Sequence, residues 1–187
     1  ISACLVGSEM CIRDSIIAQH IINEGHVDQV WMVISPQNPF KAQKSLLNEY
    51  HRLHLLQLAL EQSTQIKAVD IEFRLPKPSY TINTLAYLAE KYPHHAFSII
   101  MGSDSLQNLP KWKNATQIME AYDVYVYKRP GYAAENPGVT RLTVVDAPLL
   151  EISATHIREL FRQRKSARYL LPDAVLRHIE ENNYYQL

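Results

Sequence analysis

Cysteine is nearly absent from this chain: Cys4 and Cys11 are the only two among 187 residues. Their spacing is not that of a CxxC metal or redox pair, and two thiols are too few for a disulfide framework. The composition suits a reducing cytoplasm. Net charge is missing as well, since 19 Lys and Arg balance 19 Asp and Glu. No global field therefore draws the protein to nucleic acid or an anionic membrane, whereas a small anionic ligand needs only a local cluster of cations. No stretch nears the roughly 20 apolar residues of a membrane span, and the amino terminus has neither the basic start nor the continuous apolar core of a signal peptide. The expectation is a soluble, unexported protein. Internal repeats, low-complexity tracts and long linkers are also lacking. A length of 187 residues with 47% hydrophobic content suits one domain with a real core.

What is there is an alternation. Residues 16–23 carry apolar side chains at helical spacing, and Gly25 can close that helix as a left-handed cap. Val27 to Ile34 reads as a buried strand, and the loop over residues 35–41 holds two prolines that forbid regular pairing. A helix from Leu46 to Leu60 places Leu46, Tyr50, Leu53, Leu56 and Leu60 on one stripe. A strand over Ile66–Phe73, a proline-bearing loop and a helix from Thr81 to Tyr92 repeat the pattern. The strand from Ala96 to Met101 leads into Gly102-Ser103-Asp104, followed by a helical segment over residues 114–121. Strands at residues 123–127 and 141–145 precede helices at 155–164 and 172–182, the last with Pro172 in its first turn. Such alternation implies a parallel sheet covered on both faces, with ligands at the carboxyl ends of the strands.

The segment Ile152-Ser153-Ala154-Thr155-His156-Ile157-Arg158 opens an amphipathic helix. Two hydroxyls and a fork-shaped guanidinium at a helix start suit phosphate, because free backbone N–H groups and the positive end of the helix dipole gather there. An ordinary cap by Ser153 or Thr155, with Arg158 in solvent, explains the same residues. The segment alone leaves both readings open.

Three more segments stand with it: residues 35–41 (SPQNPFK), 79–85 (SYTINTL) and 102–112 (GSDSLQNLPKW). In order and spacing the four resemble the nicotinate-nucleotide adenylyltransferases, enzymes of NAD synthesis within the nucleotidyltransferase group. Between them they cover nearly everything from Ile16 to Tyr185. The resemblance implies an α/β, Rossmann-like doubly wound parallel sheet with helices on both faces. It implies transfer of AMP from ATP to nicotinate mononucleotide, with Mg²⁺ carried by ATP. It assigns Ser153, Thr155, Arg158 and Gly102 to ATP, and Trp112 to stacking on the pyridine ring. Asp104 would accept from ribose hydroxyls, Tyr80, Thr81 and Thr84 would meet the nicotinate carboxylate, and Lys41 would reach a substrate phosphate. Arg129, before Pro130-Gly131, falls near the nucleotide. Plainer readings stand beside these: Trp112 as a loop anchor, Asp104 and Thr81 as helix caps, Lys41 and Arg129 as solvated charge. His156 holds a variable position, and the remaining histidines show no metal-ligand spacing. The expected partners are ATP and nicotinate mononucleotide, not nucleic acid or membrane, and a homo-oligomer stays open.

One motif is missing. The family's first strand runs into a GxFxPxHxGH loop whose glycines and two histidines hold the triphosphate. Here the residues before Ile16 read Glu9-Met10-Cys11-Ile12-Arg13-Asp14-Ser15, and Asp14 brings the wrong sign of charge for a phosphate cradle. Ala3 to Val6 can still supply the first strand. Residues 1–15 are therefore expected to be foreign to the gene, with 16–187 as the single native domain. The chain as written is expected to transfer little or no AMP, and no catalytic residue is assigned.

Three other functions fit parts of the chain. A related transferase acting on phosphopantetheine or nicotinamide mononucleotide shares the fold, and a catalytically dead ligand-binding homologue fits the missing histidines. A nucleic-acid module would use Arg158, Arg162, Arg164, Lys165 and Arg168, but no aromatic-rich RNA motif accompanies them.

Overall fold

The computed structural model describes residues 2–6 as backbone, and residues 12–37, 47–148 and 151–186 with their side chains. Six parallel strands form one sheet in the order β3-β2-β1-β4-β5-β6. They are β1 (Ser2–Val6), β2 (Gln29–Val33), β3 (Ile66–Val69), β4 (Phe97–Gly102), β5 (Asp123–Tyr127) and β6 (Arg141–Val145). The helices between and after them are α1 (Ile12–Asn23), α2 (Glu49–Ala59), α3 (Thr81–Lys91), α4 (Ser103–Asn108), α5 (Ala115–Ala121), α6 (Ala154–Arg162) and α7 (Asp173–Glu181). The chain winds outward from β1 to β3, then returns to the other side of β1 with β4. The strand order therefore reverses between β1 and β4, the place where sheets of this kind bind ligands beyond the carboxyl ends of their strands.

Strand alternation divides the core. Val30 and Met32 face one way and pack with Ile17 and Ile21 of α1 and Leu56 of α2. Trp31 and Val33 face the other way and meet Ile82, Leu85 and Leu88 of α3 and Ile118 of α5. A third cluster joins Leu55, on the back of α2, to Ile157 and Phe161 of α6 and Val175 and Ile179 of α7. The doubly wound, two-faced sheet expected from the alternation is thus present, with α6 and α7 added behind α2. Among the described residues no helix is long and apolar enough to cross a membrane.

Several local expectations change. α1 begins at Ile12, four residues earlier than the apolar spacing indicates, and ends where Gly25 (φ 71°) donates to the Ile22 carbonyl at 2.9 Å. Tyr50 does not join the buried stripe of α2. It is 65% exposed and makes an edge-on ring contact with Phe73, while the side of α2 that carries Leu55 packs against α6 and α7. The strand expected over residues 66–73 stops at Val69, and Ile71–Arg74 turns as a 3-10 helix that buries Glu72. α4 lies where no helix is expected.

Candidate active site

At the end of β4, Gly102 starts α4, and Ser103 is wholly buried. The Ser103 hydroxyl donates to the Tyr132 carbonyl and accepts from the Arg129 N–H, each at 3.0 Å. It thereby ties the turn after β5 to the end of β4. That turn, Arg129-Pro130-Gly131-Tyr132, closes with Tyr132 N–H on the Arg129 carbonyl at 3.1 Å, and Gly131 takes φ 80°. Proline before a positive-φ glycine suits this geometry. The guanidinium so placed reaches Asp104: Nη1 donates to Oδ2 at 2.6 Å. Asp104 Oδ1 is buried without a partner. Asp104 is thus no N-cap, since Gly102 holds that position.

Across from this pair stand the starts of α1 and α6. Arg13 Nη1 donates to the Ile152 carbonyl at 3.1 Å, linking the two helix starts. Its Nε and Nη2 also lie 3.4 Å from Asp14 Oδ1. Asp14 is buried and pairs with Arg13. A cleft lined by Arg13, Tyr127, Lys128, Arg129 and Pro148 separates these elements. Burial, reinforced by the charge of Asp14, pushes the Tyr127 phenol up to about 12. At α6 the Ser153 hydroxyl accepts from the His156 N–H at 3.1 Å, so Ser153 is the N-cap. Thr155 Oγ1 accepts from Arg158 Nη2 at 3.2 Å, which groups the motif's second hydroxyl with its guanidinium.

The start of α3 carries another of the motifs. Tyr80 is the N-cap and makes no side-chain cap bond, so Thr81 begins the helix without capping it. Thr84 is fully buried: its hydroxyl donates to Glu72 Oε1 at 2.7 Å, and its N–H to the Tyr80 carbonyl at 3.3 Å. Both donors of Thr84 are thus engaged within the protein. Trp112 is half-buried against the α3 face of the sheet. Its neighbour Lys113 sets its Nζ 4.6 Å from the centre of the Tyr80 ring.

The family is decided by comparison with known proteins. The sequence profile of the cytidylyltransferase-like family matches residues 16–160. The chain is 46% identical over 174 residues to a Flavobacterium johnsoniae protein named probable nicotinate-nucleotide adenylyltransferase, covering 91% of this chain and 90% of that one. It is 31% identical to the Bacillus subtilis nicotinate-nucleotide adenylyltransferase over 91% of this chain and 89% of that one. The chain is a nicotinate-nucleotide adenylyltransferase family member. Its fold matches the Plasmodium falciparum nicotinic acid mononucleotide adenylyltransferase complexed with NaAD, with a TM-score of 0.80 at 16% identity over 98% and 97% of the two chains.

As a nicotinate-nucleotide adenylyltransferase family member, the chain brings Gly102, Asp104 and Arg129 into one contact group, and Tyr80 into contact with Lys113. Lys41, the other expected contact, lies outside the described residues, as do residues 7–11 where the family's histidine loop would fall. Sequence reasoning missed Ser103, Arg13, Lys113 and Glu72. Ser103 and Lys113 sit inside or beside recognised motifs, where adjacency was a usable signal. Glu72 carried none, because an acidic residue between Ile71 and Phe73 reads as the solvent side of a strand.

Proposed function

We propose that this enzyme transfers AMP from ATP to nicotinate mononucleotide, forming nicotinate adenine dinucleotide and pyrophosphate. Support comes above all from family membership over nine-tenths of the chain. A phosphate oxygen of the mononucleotide attacks the α-phosphorus. The new P–O bond forms as the bond to the bridging oxygen breaks, and pyrophosphate leaves with the electron pair. No proton transfer or covalent enzyme intermediate is required, so alignment and neutralisation of charge are the protein's tasks.

In this reading Gly102, Ser153, Thr155 and Arg158 contact ATP, with Arg129 near the nucleotide. Asp104 Oδ1, buried and unpartnered, accepts from a ribose hydroxyl without breaking its pair with Arg129. Trp112 stacks on the pyridine, Tyr80 and Thr81 present the start of α3 to the carboxylate, and Lys41 reaches a phosphate. Thr84 positions that helix start through Glu72. Of the cations lining the cleft, Arg13, Lys128 and Arg129 are each paired with a carboxylate, Asp14, Asp146 and Asp104 respectively. In this reading magnesium enters with ATP, as part of the MgATP substrate. The compartment is the cytoplasm.

Without the two histidines, transition-state charge is under-stabilised and turnover falls by orders of magnitude. Pyrophosphate release with nicotinate mononucleotide and MgATP, run beside Trp112 fluorescence, tests both parts. Trp31 is buried, so quenching on mononucleotide addition reports Trp112. Quenching with turnover far below about one per second is expected; turnover near that value overturns the impairment, and neither signal overturns the function. The foreign origin of residues 1–15 belongs to the same proposal, supported by a family match that starts at residue 16. An uninterrupted genomic frame encoding those residues overturns it.

A further inference from the structure

We infer that Lys113 is a specificity-determining residue that favours the acidic nicotinate mononucleotide over its neutral amide. This rests on the proposed function, because it takes Trp112 and the start of α3 as the pyridine site. The two substrates differ there by one negative charge on the ring substituent. A positive charge near that substituent favours the acid, while a single N–H of a helix start can also bond the amide oxygen.

Lys113 is such a charge. Its Nζ stands 4.6 Å from the centre of the Tyr80 ring, and Tyr80 is the residue from which α3 starts. No carboxylate among the described residues pairs with it. Its backbone is held on both sides: Trp112 N–H donates to the Leu109 carbonyl at 2.9 Å, and Ala115 N–H to the Trp112 carbonyl at 3.2 Å. Asn114 then reverses the chain in the left-handed region, with φ 53°, which asparagine tolerates well. The lysine thus leaves a short, bonded turn next to Trp112, and its ammonium lies over the ring of Tyr80, the N-cap of α3. Tyr80 contributes its ring face, which attracts the cation.

Two unit charges about 6 Å apart alter binding by roughly three- to a hundredfold between a fully aqueous and a protein-like dielectric. For this exposed lysine about tenfold is expected. Calorimetric titration of the full chain with nicotinate mononucleotide and with nicotinamide mononucleotide is the test, on wild type, Lys113→Met and Lys113→Arg. Lys113→Met should weaken the acid about tenfold and the amide less than about twofold, while Lys113→Arg keeps the preference. Raising salt should erode the acid preference of wild type and leave that of Lys113→Met unchanged. Wild-type acid selectivity that survives Lys113→Met overturns the role of Lys113 alone. Wild type that binds neither nucleotide, or both equally, overturns the site reading as well. Amide affinity serves as the control for folding.

Discussion

Arg129 lies across Asp104, its Nη1 donating to Oδ2 over 2.6 Å, and the two side chains fill the space beside the Cα of Gly102. The glycine is required here by its neighbours, whatever ligand approaches later. A Cβ on residue 102 would stand 2.5 Å from Asp104 Oδ1 and 2.7 Å from Arg129 Cδ. Gly102→Ala is therefore expected to separate the pair and lower stability by about 1–3 kcal/mol, as overpacking does. Urea unfolding measures it. A loss below about 0.5 kcal/mol would mean that the pair simply swings aside.

Thr84 and Glu72 form a buried couple in which Glu72 Oε2 already lacks a partner. Thr84→Val removes the donor to Oε1 as well and should lower stability by about 1–3 kcal/mol, the penalty for orphaning a buried acceptor. Thr84→Ser should keep most of the bond. Thr84→Val with Glu72→Met, which removes both polar partners, should recover much of the loss, as a double-mutant cycle would show.

Tyr127 sets an alkaline limit. An unfolded tyrosine loses its proton near 10, whereas burial holds the native phenol protonated until about 12. Between these values the native state binds more protons, so stability is lost as pH rises. The contribution is about 2 kcal/mol by pH 12. Urea melts of wild type and Tyr127→Phe at increasing pH isolate it, since Tyr122 and Tyr125, also shifted upward by burial, are common to both. Parallel pH curves for the two proteins would contradict this assignment.

Ser153 caps α6 through the His156 N–H. Ser153→Ala should lower stability by about 1 kcal/mol, and Ser153→Asp should restore the cap. If Ser153 also contacts ATP, Ser153→Asp regains stability while ATP affinity stays low, because the new charge opposes phosphate. Equal ATP affinity in wild type and Ser153→Asp would leave Ser153 a cap alone.

The parts of the fold legible in the sequence are those whose cause is local. The strands at residues 123–127 and 141–145 coincide with β5 and β6, because apolar runs between turn residues encode their own boundaries. Gly25 ends α1 as its backbone freedom indicates, and the order of elements fixed a two-faced parallel sheet. The start of α1 was not legible: Arg13 and Asp14 break the apolar spacing there, and their place comes from a contact with Ile152, 139 residues away.

For the site, the sequence by itself determined which residue types are available and in what order: the Gly102-Ser103-Asp104 end of β4, the Thr81 helix start, Trp112, and the hydroxyls and guanidinium of α6. Each of those signals lies within a few residues of chain, where backbone geometry alone fixes neighbours. The tertiary structure decided which of them face one another. It turned Thr84 inward onto Glu72, set Arg129 on Asp104 across 25 residues, and brought Lys113 to Tyr80. These partners are chosen by how helices and turns pack on the sheet. Short-range patterns carry no record of that choice.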